Sequence, residues 1–477
     1  MKTLYQQLAR ELVQEIESGA YCIGEKMPGI RATSNNKRVS PSTAVAAYRQ
    51  LELDGYIESR PRSGFYVAHR RRRDVEEPQI ENLVTEKPGL VEGQRRVLQL
   101  ISQINNPNIT QFGAGVPDSS FLPLRAMEKA LAHAVKFNRI EISSYSKTLG
   151  EISLRKQLAR RMSQIGCLTH HDDIIVTSGC QEAVHISLKM LTQPGDIVAV
   201  ESPTFHGHLQ TIDALGLKAL EIPTHPREGI SLEALQLAFD QWPIKACIVI
   251  PNFSNPLGSC MSDANKAALA KLCHKAKVPI IEDDIYGDVS FSQQRPSTVK
   301  SFDSSGNVIY CSSFSKTISP GMRVGWVSSA KYLDKLEYQK FVTNVSAPGL
   351  QQLALASMLR SGMYDKHLRF IRGEIEKSVD LISERIIKTF PLETKITQPS
   401  GGYFLWLELP ENVDAFALVE AALKHNISIA PGPIFSAKAS AKAKFSNYIR
   451  ISCAVLWNDK TRKAIDTLGE IINAHAQ

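Results

Sequence analysis

Lys316 ends the run Ser312-Ser313-Phe314-Ser315-Lys316, which follows the β-rich stretch Val308-Ile309-Tyr310-Cys311 and precedes Thr317-Ile318-Ser319-Pro320-Gly321-Met322-Arg323. A lysine at the end of a buried strand, fenced by small hydroxyl residues, can be kept dry enough to lose its proton and condense with an aldehyde. Alone, Ser-x-x-Lys is a weak signal, because most lysines after strands are solvated loop residues. The neighbouring strand ends carry the rest of the argument.

Ile174-Ile175-Val176-Thr177 runs into Ser178-Gly179-Cys180-Gln181, with an amphipathic helical pattern from Glu182 to Leu191. A glycine turn at a helix N-terminus offers free N–H groups and the positive end of the helix dipole, which suits a phosphate. Ile197-Val198-Ala199-Val200 ends in Glu201-Ser202-Pro203-Thr204-Phe205, whose aromatic side chain can stack on a flat ring. Cys247-Ile248-Val249-Ile250 leads to Asn255, and Val278-Pro279-Ile280-Ile281 leads to Asp283 and Tyr286. Ligands bind where parallel strands end on one edge of a sheet. A carboxylate beside a pyridine nitrogen keeps it protonated, and an amide and a phenol hydrogen-bond a ring oxygen, so the set matches what pyridoxal phosphate needs. Each of these residues has an ordinary explanation as cap, turn or core; four in this order ahead of a lysine do not share one.

These groups need a large scaffold. At 477 residues and 43% apolar composition the chain is long enough for two or three domains. Net charge is +8, and residues 1–73 hold +6 of it, with 13 Lys/Arg against 7 Asp/Glu. Such asymmetry points the N-terminal segment at a polyanion. The cysteines, Cys22, Cys167, Cys180, Cys247, Cys260, Cys273, Cys311 and Cys453, are scattered without a Cys-x-x-Cys pair, as in a reduced, cytoplasmic protein. Lys2, Arg10 and three glutamates within the first twenty residues argue against a cleavable signal, and no apolar run reaches bilayer length.

At the N-terminus, Leu4, Leu8, Leu12 and Ile16 recur at helical spacing up to Gly19. A second short helix is expected from Ile30 to about Lys37. A third opens at Ser40-Pro41, a serine N-cap before a proline at the first helical position, and ends near Asp54-Gly55. Tyr56 to Ser59 and Phe65 to Val67 read as strands joined by a basic turn. Three helices and a hairpin make a winged helix-turn-helix. Ser40, Ser42 and Thr43 would approach phosphates and base edges, flanked by Arg31, Arg38, Arg60 and Arg62 as phosphate contacts, with Gly64 also among the DNA-binding residues. Pro28-Gly29-Ile30-Arg31, Val39-Ser40-Pro41-Ser42-Thr43, Ala47-Tyr48, Leu51, Gly55-Tyr56 and Ser63-Gly64-Phe65-Tyr66-Val67 resemble the GntR family of bacterial repressors. Gly29, where that family often has serine, and Pro41, where arginine is common, depart from its pattern.

After this head (1–69), residues 70–107 read as a polar linker opened by Arg70-Arg71-Arg72-Arg73. From Phe112-Gly113-Ala114-Gly115-Val116-Pro117-Asp118 onward helical and strand patterns alternate, as in an α/β domain. Over residues 108–477 the chain resembles the fold type I, aspartate aminotransferase-like pyridoxal phosphate enzymes, with a small C-terminal α+β part from about 365. The resemblance implies that Lys316 forms the internal aldimine, Asp283 pairs with the pyridine nitrogen, and Tyr286 and Asn255 contact the ring oxygen. It places the phosphate on Gly179, Cys180, Gln181, Ser313, Ser315 and Arg323, and the stacking ring at Phe205. Tyr145, in Tyr-x-x-x-x-Gly, is similar to a tyrosine that reaches the partner subunit's phosphate, and Arg450, in Tyr448-Ile449-Arg450-Ile451-Ser452, to the arginine that grips an α-carboxylate.

Histidines in His170-His171-Asp172-Asp173 and His206-Gly207-His208 read as loop residues, without metal-ligand spacing. A GntR-type head on such a body is the arrangement of the MocR subgroup. It implies a homodimeric regulator with swapped heads that binds double-stranded operator DNA and senses pyridoxal phosphate, or an amino compound, at Lys316. The alternative is an amino acid aminotransferase with an accessory DNA-binding head.

Overall fold

The computed structural model describes residues 4–17, 20–21, 24–53, 56–60, 63–67, 76–79, 87–93, 97, 106, 108–292, 294–439 and 444–476. The chain divides into two compact units after residue 75.

In the first unit, helices Leu4–Glu17, Ile30–Asn36 and Pro41–Leu53 precede the antiparallel strands Ile57–Arg60 and Gly64–Val67. Ser40 caps the third helix as its position before proline requires, its Oγ accepting from the Thr43 N–H at 3.1 Å. Leu8, Ala9 and Leu12 bury one face of the first helix against Ala44, Ala47, Tyr48 and Leu51. Leu4 lies outside that face, 68% exposed, because the packing begins a turn later than its spacing suggests. Tyr48 is fully buried and anchors the second helix: its hydroxyl donates to Pro28 O at 2.6 Å and lies 2.8 Å from Thr33 Oγ1. Three helices and a hairpin form the winged helix-turn-helix expected from the sequence.

The second unit is built on a mixed sheet. In spatial order its main path runs Gly89–Leu90, Lys218–His225, Ile197–Ser202, Ile244–Val249, Ile280–Asp283, Val308–Ser313, Gly325–Ser328 and Ile174–Thr177. The strands from Lys218–His225 to Val308–Ser313 are mutually parallel, whereas Gly325–Ser328 is antiparallel to both its neighbours. Buried apolar clusters cover both faces, one with Ile175, Val184, Leu188, Val198 and Val200, the other with Leu220, Ile222, Leu235, Leu269 and Val308. Burial on both faces explains why these strands read as continuous apolar runs rather than alternating ones.

Toward the C-terminus, the antiparallel sheet of Lys395–Ile396, Phe404–Glu408, Tyr448–Ser452 and Ala430–Pro431 is accompanied by helices Met363–Thr389, Ala415–Lys424 and Asp459–Ala476. Its register sets Arg450 opposite Trp406.

The stretch 70–107, read above as linker, is in part structural. Gly89–Leu90 adds an antiparallel edge strand to the main sheet, and Val91 and Val97 are buried in the body. Two residues of strand and isolated valines leave too little periodicity to reveal this from sequence. Arg70 to Arg73 lie outside the described residues. Among the described residues no helix is long and apolar enough to cross a membrane.

Candidate cofactor and ligand site

Lys316 lies three residues beyond the strand Val308–Ser313, and its Nζ donates to Gly115 O at 2.5 Å. The residue keeps some exposure, but the amine is enclosed. Burial, reinforced by the nearby Arg450 charge, pulls its pKa down to about 8. A substantial neutral fraction near neutral pH is what a nucleophilic lysine requires.

Asp283 closes the adjacent strand Ile280–Asp283 and is almost fully buried. His208 Nε2 stands 3.0 Å from its Oδ2, while Cys180 Sγ, at 3.2 Å, and the Ile285 N–H, at 3.2 Å, donate to its Oδ1. Burial and the Asp283 charge push the Cys180 thiol pKa well up, so it stays protonated as a donor. A carboxylate so oriented can pair with a protonated ring nitrogen.

Asn255 Nδ2 lies 3.4 Å from the Tyr286 hydroxyl, and Asn255 Oδ1 accepts from Arg450 Nη1 at 2.9 Å. Burial raises the Tyr286 pKa, with Arg450 opposing, so the phenol is a donor. Arg450 is itself buried; its Nη2 donates to Gly113 O and its guanidinium lies over Phe404 at 4.4 Å and Phe435 at 5.1 Å. Burial lowers its pKa to about 10. Arg450 Nε is buried without a hydrogen-bond partner, a cost that an anionic ligand would remove.

At the other end, the helix Cys180–Leu191 begins two residues earlier than its apolar pattern, directly at the glycine turn. Gly179 adopts φ +89, and a Cβ there would come within 2.6 Å of Arg323 Nη2, which donates to Ser178 O at 2.6 Å. Ser313 Oγ lies 2.9 Å from Ser315 Oγ and accepts from the Ser315 N–H at 3.0 Å. Gln181 spends its side-chain amide on Gly207 O and Thr211 Oγ1, at 2.8 and 2.7 Å, so backbone N–H groups are what this turn offers an anion. Phe205 precedes the helix His206–Ala214, its ring 5.4 Å from that of His208. These donors, the glycine cradle and the unpartnered Arg450 Nε fit a phosphorylated pyridine aldehyde joined to a carboxylate. Tyr145 does not join them; it is 87% exposed.

One expectation about histidine is corrected. His208 is not a loop residue: it sits in the helix His206–Ala214, buried, and holds Asp283. Its adjacency to Phe205 carried the signal, since three residues along a helix bring side chains to one face. His170, His171 and Asp172 bring their side-chain N and O atoms within 4.8 Å of one another, and Asp172 accepts from Arg155 Nη1 at 3.0 Å. Tyr403, Phe404 and Phe435 also went unnoticed as wall residues, because nothing in an apolar run marks the aromatic that will face a guanidinium.

In the head, Ser40 and Ser42 are exposed, and Ser40 Oγ lies 2.8 Å from both Ser42 Oγ and Thr43 Oγ1. Arg31 and Arg38 are exposed, whereas Arg60 pairs with Glu58 at 2.7 Å and lies 4.2 Å over the Tyr66 ring. Gly64 faces Arg60 in the hairpin at φ +109. Arg62 lies outside the described residues.

Residues 107–468 match the model of the class I and II aminotransferases, and residues 4–67 that of the bacterial regulatory proteins of the gntR family. The chain is 39% identical to YjiR of Escherichia coli K12, an uncharacterized HTH-type transcriptional regulator, across 98% of this chain and 99% of that one. It is 28% identical to the HTH-type transcriptional regulator NorG of Staphylococcus aureus, across 92% and 98%. Among solved structures, the Pyrococcus horikoshii kynurenine aminotransferase with PMP superposes with a TM-score of 0.75 at 27% identity, covering 80% of this chain and 95% of that one. LysN of Thermus thermophilus, an α-aminoadipate aminotransferase bound to N-(5'-phosphopyridoxyl)-L-leucine, gives 0.73 at 25%, with 80% and 95% covered. The chain belongs to the class I and II aminotransferase family and, with its N-terminal GntR-family domain, has the MocR architecture.

Proposed function

We propose that this protein is a pyridoxal phosphate-dependent transcriptional regulator that binds double-stranded DNA through its winged helix and reads an amino compound in its aminotransferase-like body. The observation that carries this reading is that one chain builds both a helix tip with exposed Ser40 and Ser42 beside half-buried Thr43 and an enclosed Lys316 near Asp283, Tyr286 and the Arg450–Asn255 pair. When bound, pyridoxal phosphate supplies an aldehyde that captures amines and a ring that withdraws electrons. Lys316 is the amine placed to hold it, with its pKa lowered by burial. Asp283, held by His208, keeps the ring nitrogen protonated, and Tyr286 and Asn255 meet the ring oxygen. Phe205 stacks on the ring, and the first turn of Cys180–Leu191 with Ser313, Ser315 and Arg323 takes the phosphate. Arg450 grips a carboxylate on the incoming amine.

The protein acts in the cytoplasm as a homodimer with swapped heads. Phe137, Ile140 and Tyr145, at 62%, 80% and 87% exposure, form part of the apolar surface that a second copy would cover, with Tyr145 reaching toward the partner's phosphate.

A second reading, an aminotransferase of amino acids, is favoured by the lowered Lys316 pKa, which also suits proton transfer, and by the Arg450–Asn255 pair. Incubation with an amino donor and a keto acid separates the two. Amine exchange at the cofactor with no keto acid turnover supports the sensor; many turnovers per site support the enzyme.

A further inference from the structure

The chain that follows the DNA-binding unit is held to the body first at Glu76 and Glu77, which accept from the Ile396 and Gln398 N–H groups, and again further on at the wall of the ligand site. Glu92 donates its N–H to Ala437 O at 2.8 Å and accepts from the Ala439 N–H at 3.1 Å, forming a parallel bridge with Lys438. Val91 is buried in the core cluster that includes Ala437. Gly93, at φ +81, lies so close that a Cβ would come within 2.6 Å of Ala439 O. A few residues on, Val97 is fully buried against Trp406, Ile434 and Phe435.

Phe435 is also where the site's ligand-facing groups converge. The Arg450 guanidinium lies 5.1 Å over its ring, the His206 ring stands 6.1 Å away, and its carbonyl accepts from the Thr204 N–H, next to Phe205, at 2.9 Å. The turn Gly432–Phe435 thus has a carboxylate-binding arginine and a ring-stacking aromatic on one side. It also packs against Val97, and three residues past Phe435 its chain makes the Glu92 bridge.

We propose that Val91 to Gly93, together with Val97, form the output strap of the ligand site. A carboxylate drawn onto Arg450 shifts Phe435 and the segment Ser436 to Ala439, and this changes the hold on Glu92 and Val97 and hence on the chain that leads to the DNA-binding unit. Rigid packing passes a small displacement on rather than absorbing it. The inference rests on the regulator reading above and names the path its signal takes.

The test uses the full chain, loaded either with pyridoxal phosphate or with N-(5'-phosphopyridoxyl)-L-leucine, which adds an α-carboxylate. Hydrogen exchange of peptides covering 87–97 and 436–439 should differ at least threefold in rate between the two states, with the shift lost in Arg450→Ala. Gly93→Val should keep binding of both compounds and of DNA within about threefold, while the difference in DNA affinity between the two states collapses. Unchanged exchange in both peptides, or a Gly93→Val protein with the full wild-type response, overturns the strap. Should Gly93→Val fail to fold, the exchange comparison on wild type decides alone. A strap that responds in exchange while DNA affinity never changes would uphold this inference and overturn the regulator reading.

Discussion

His208 Nε2 and Asp283 Oδ2 lie 3.0 Å apart in the interior of the body, a histidine from one helix start and a carboxylate from one strand end. The pair gives Asp283 a fixed orientation from which it would hold a proton on the pyridine nitrogen of the cofactor. His208→Ala should weaken pyridoxal phosphate binding about tenfold, on the order of 1.4 kcal/mol for one charge-assisted hydrogen bond, with His208→Gln between the two. Spectrophotometric titration of cofactor-free protein measures this. Equal affinity in all three proteins would remove His208 from the site.

Lys316 should set the pH dependence of cofactor capture. The amine is reactive only when neutral, and its pKa lies at about 8. Capture by the cofactor-free protein should therefore rise about tenfold per pH unit below 8 and level off above it, whereas an ordinary lysine would climb until about pH 10.4. Stopped-flow absorbance after mixing gives the profile, and a rate still climbing at pH 9.5 would place the amine in solvent.

Gly179→Ala should damage phosphate recognition selectively. A side chain at φ +89 costs about 1 kcal/mol in backbone strain and would displace Arg323. Preference for pyridoxal phosphate over pyridoxal should fall about tenfold. A loss affecting both aldehydes equally would mean that the turn supports the fold rather than the phosphate.

On the DNA side, Arg31→Ala should lower the slope of log affinity against log salt by about 0.9, with little change in site preference. Ser42→Ala, at the exposed tip of the third helix, should change which sequences are selected and leave the slope alone. Binding titrations across a salt series distinguish them; the reverse pattern would exchange the two roles.

Much of the site was legible because its residues sit at strand ends, where an apolar run meets a polar turn and register in a parallel sheet forces neighbours together. Asp283 and Cys311 are paired across two such strands, five residues before Lys316. The head was equally readable, since Ser40-Pro41 states both the cap and the first helical residue. His208 was missed because the glycine in His206-Gly207-His208 makes the stretch read as loop, whereas it forms the first turn of the helix His206–Ala214. Gly89–Leu90 and Val97 were missed because what holds them lies more than a hundred residues away, the pairing with Lys218 and Ala219 for the strand and burial against Phe435 for the valine, and no local pattern records it.

The central claim is that cofactor chemistry at Lys316 changes DNA binding. Genomic fragments selected by the full-length protein, titrated by fluorescence anisotropy with and without pyridoxal phosphate, test it most directly against the Lys316→Ala variant. The account predicts that cofactor changes wild-type affinity at least fivefold and leaves Lys316→Ala unaffected. Identical affinity in all four conditions would contradict it and leave the head and the body as independent modules.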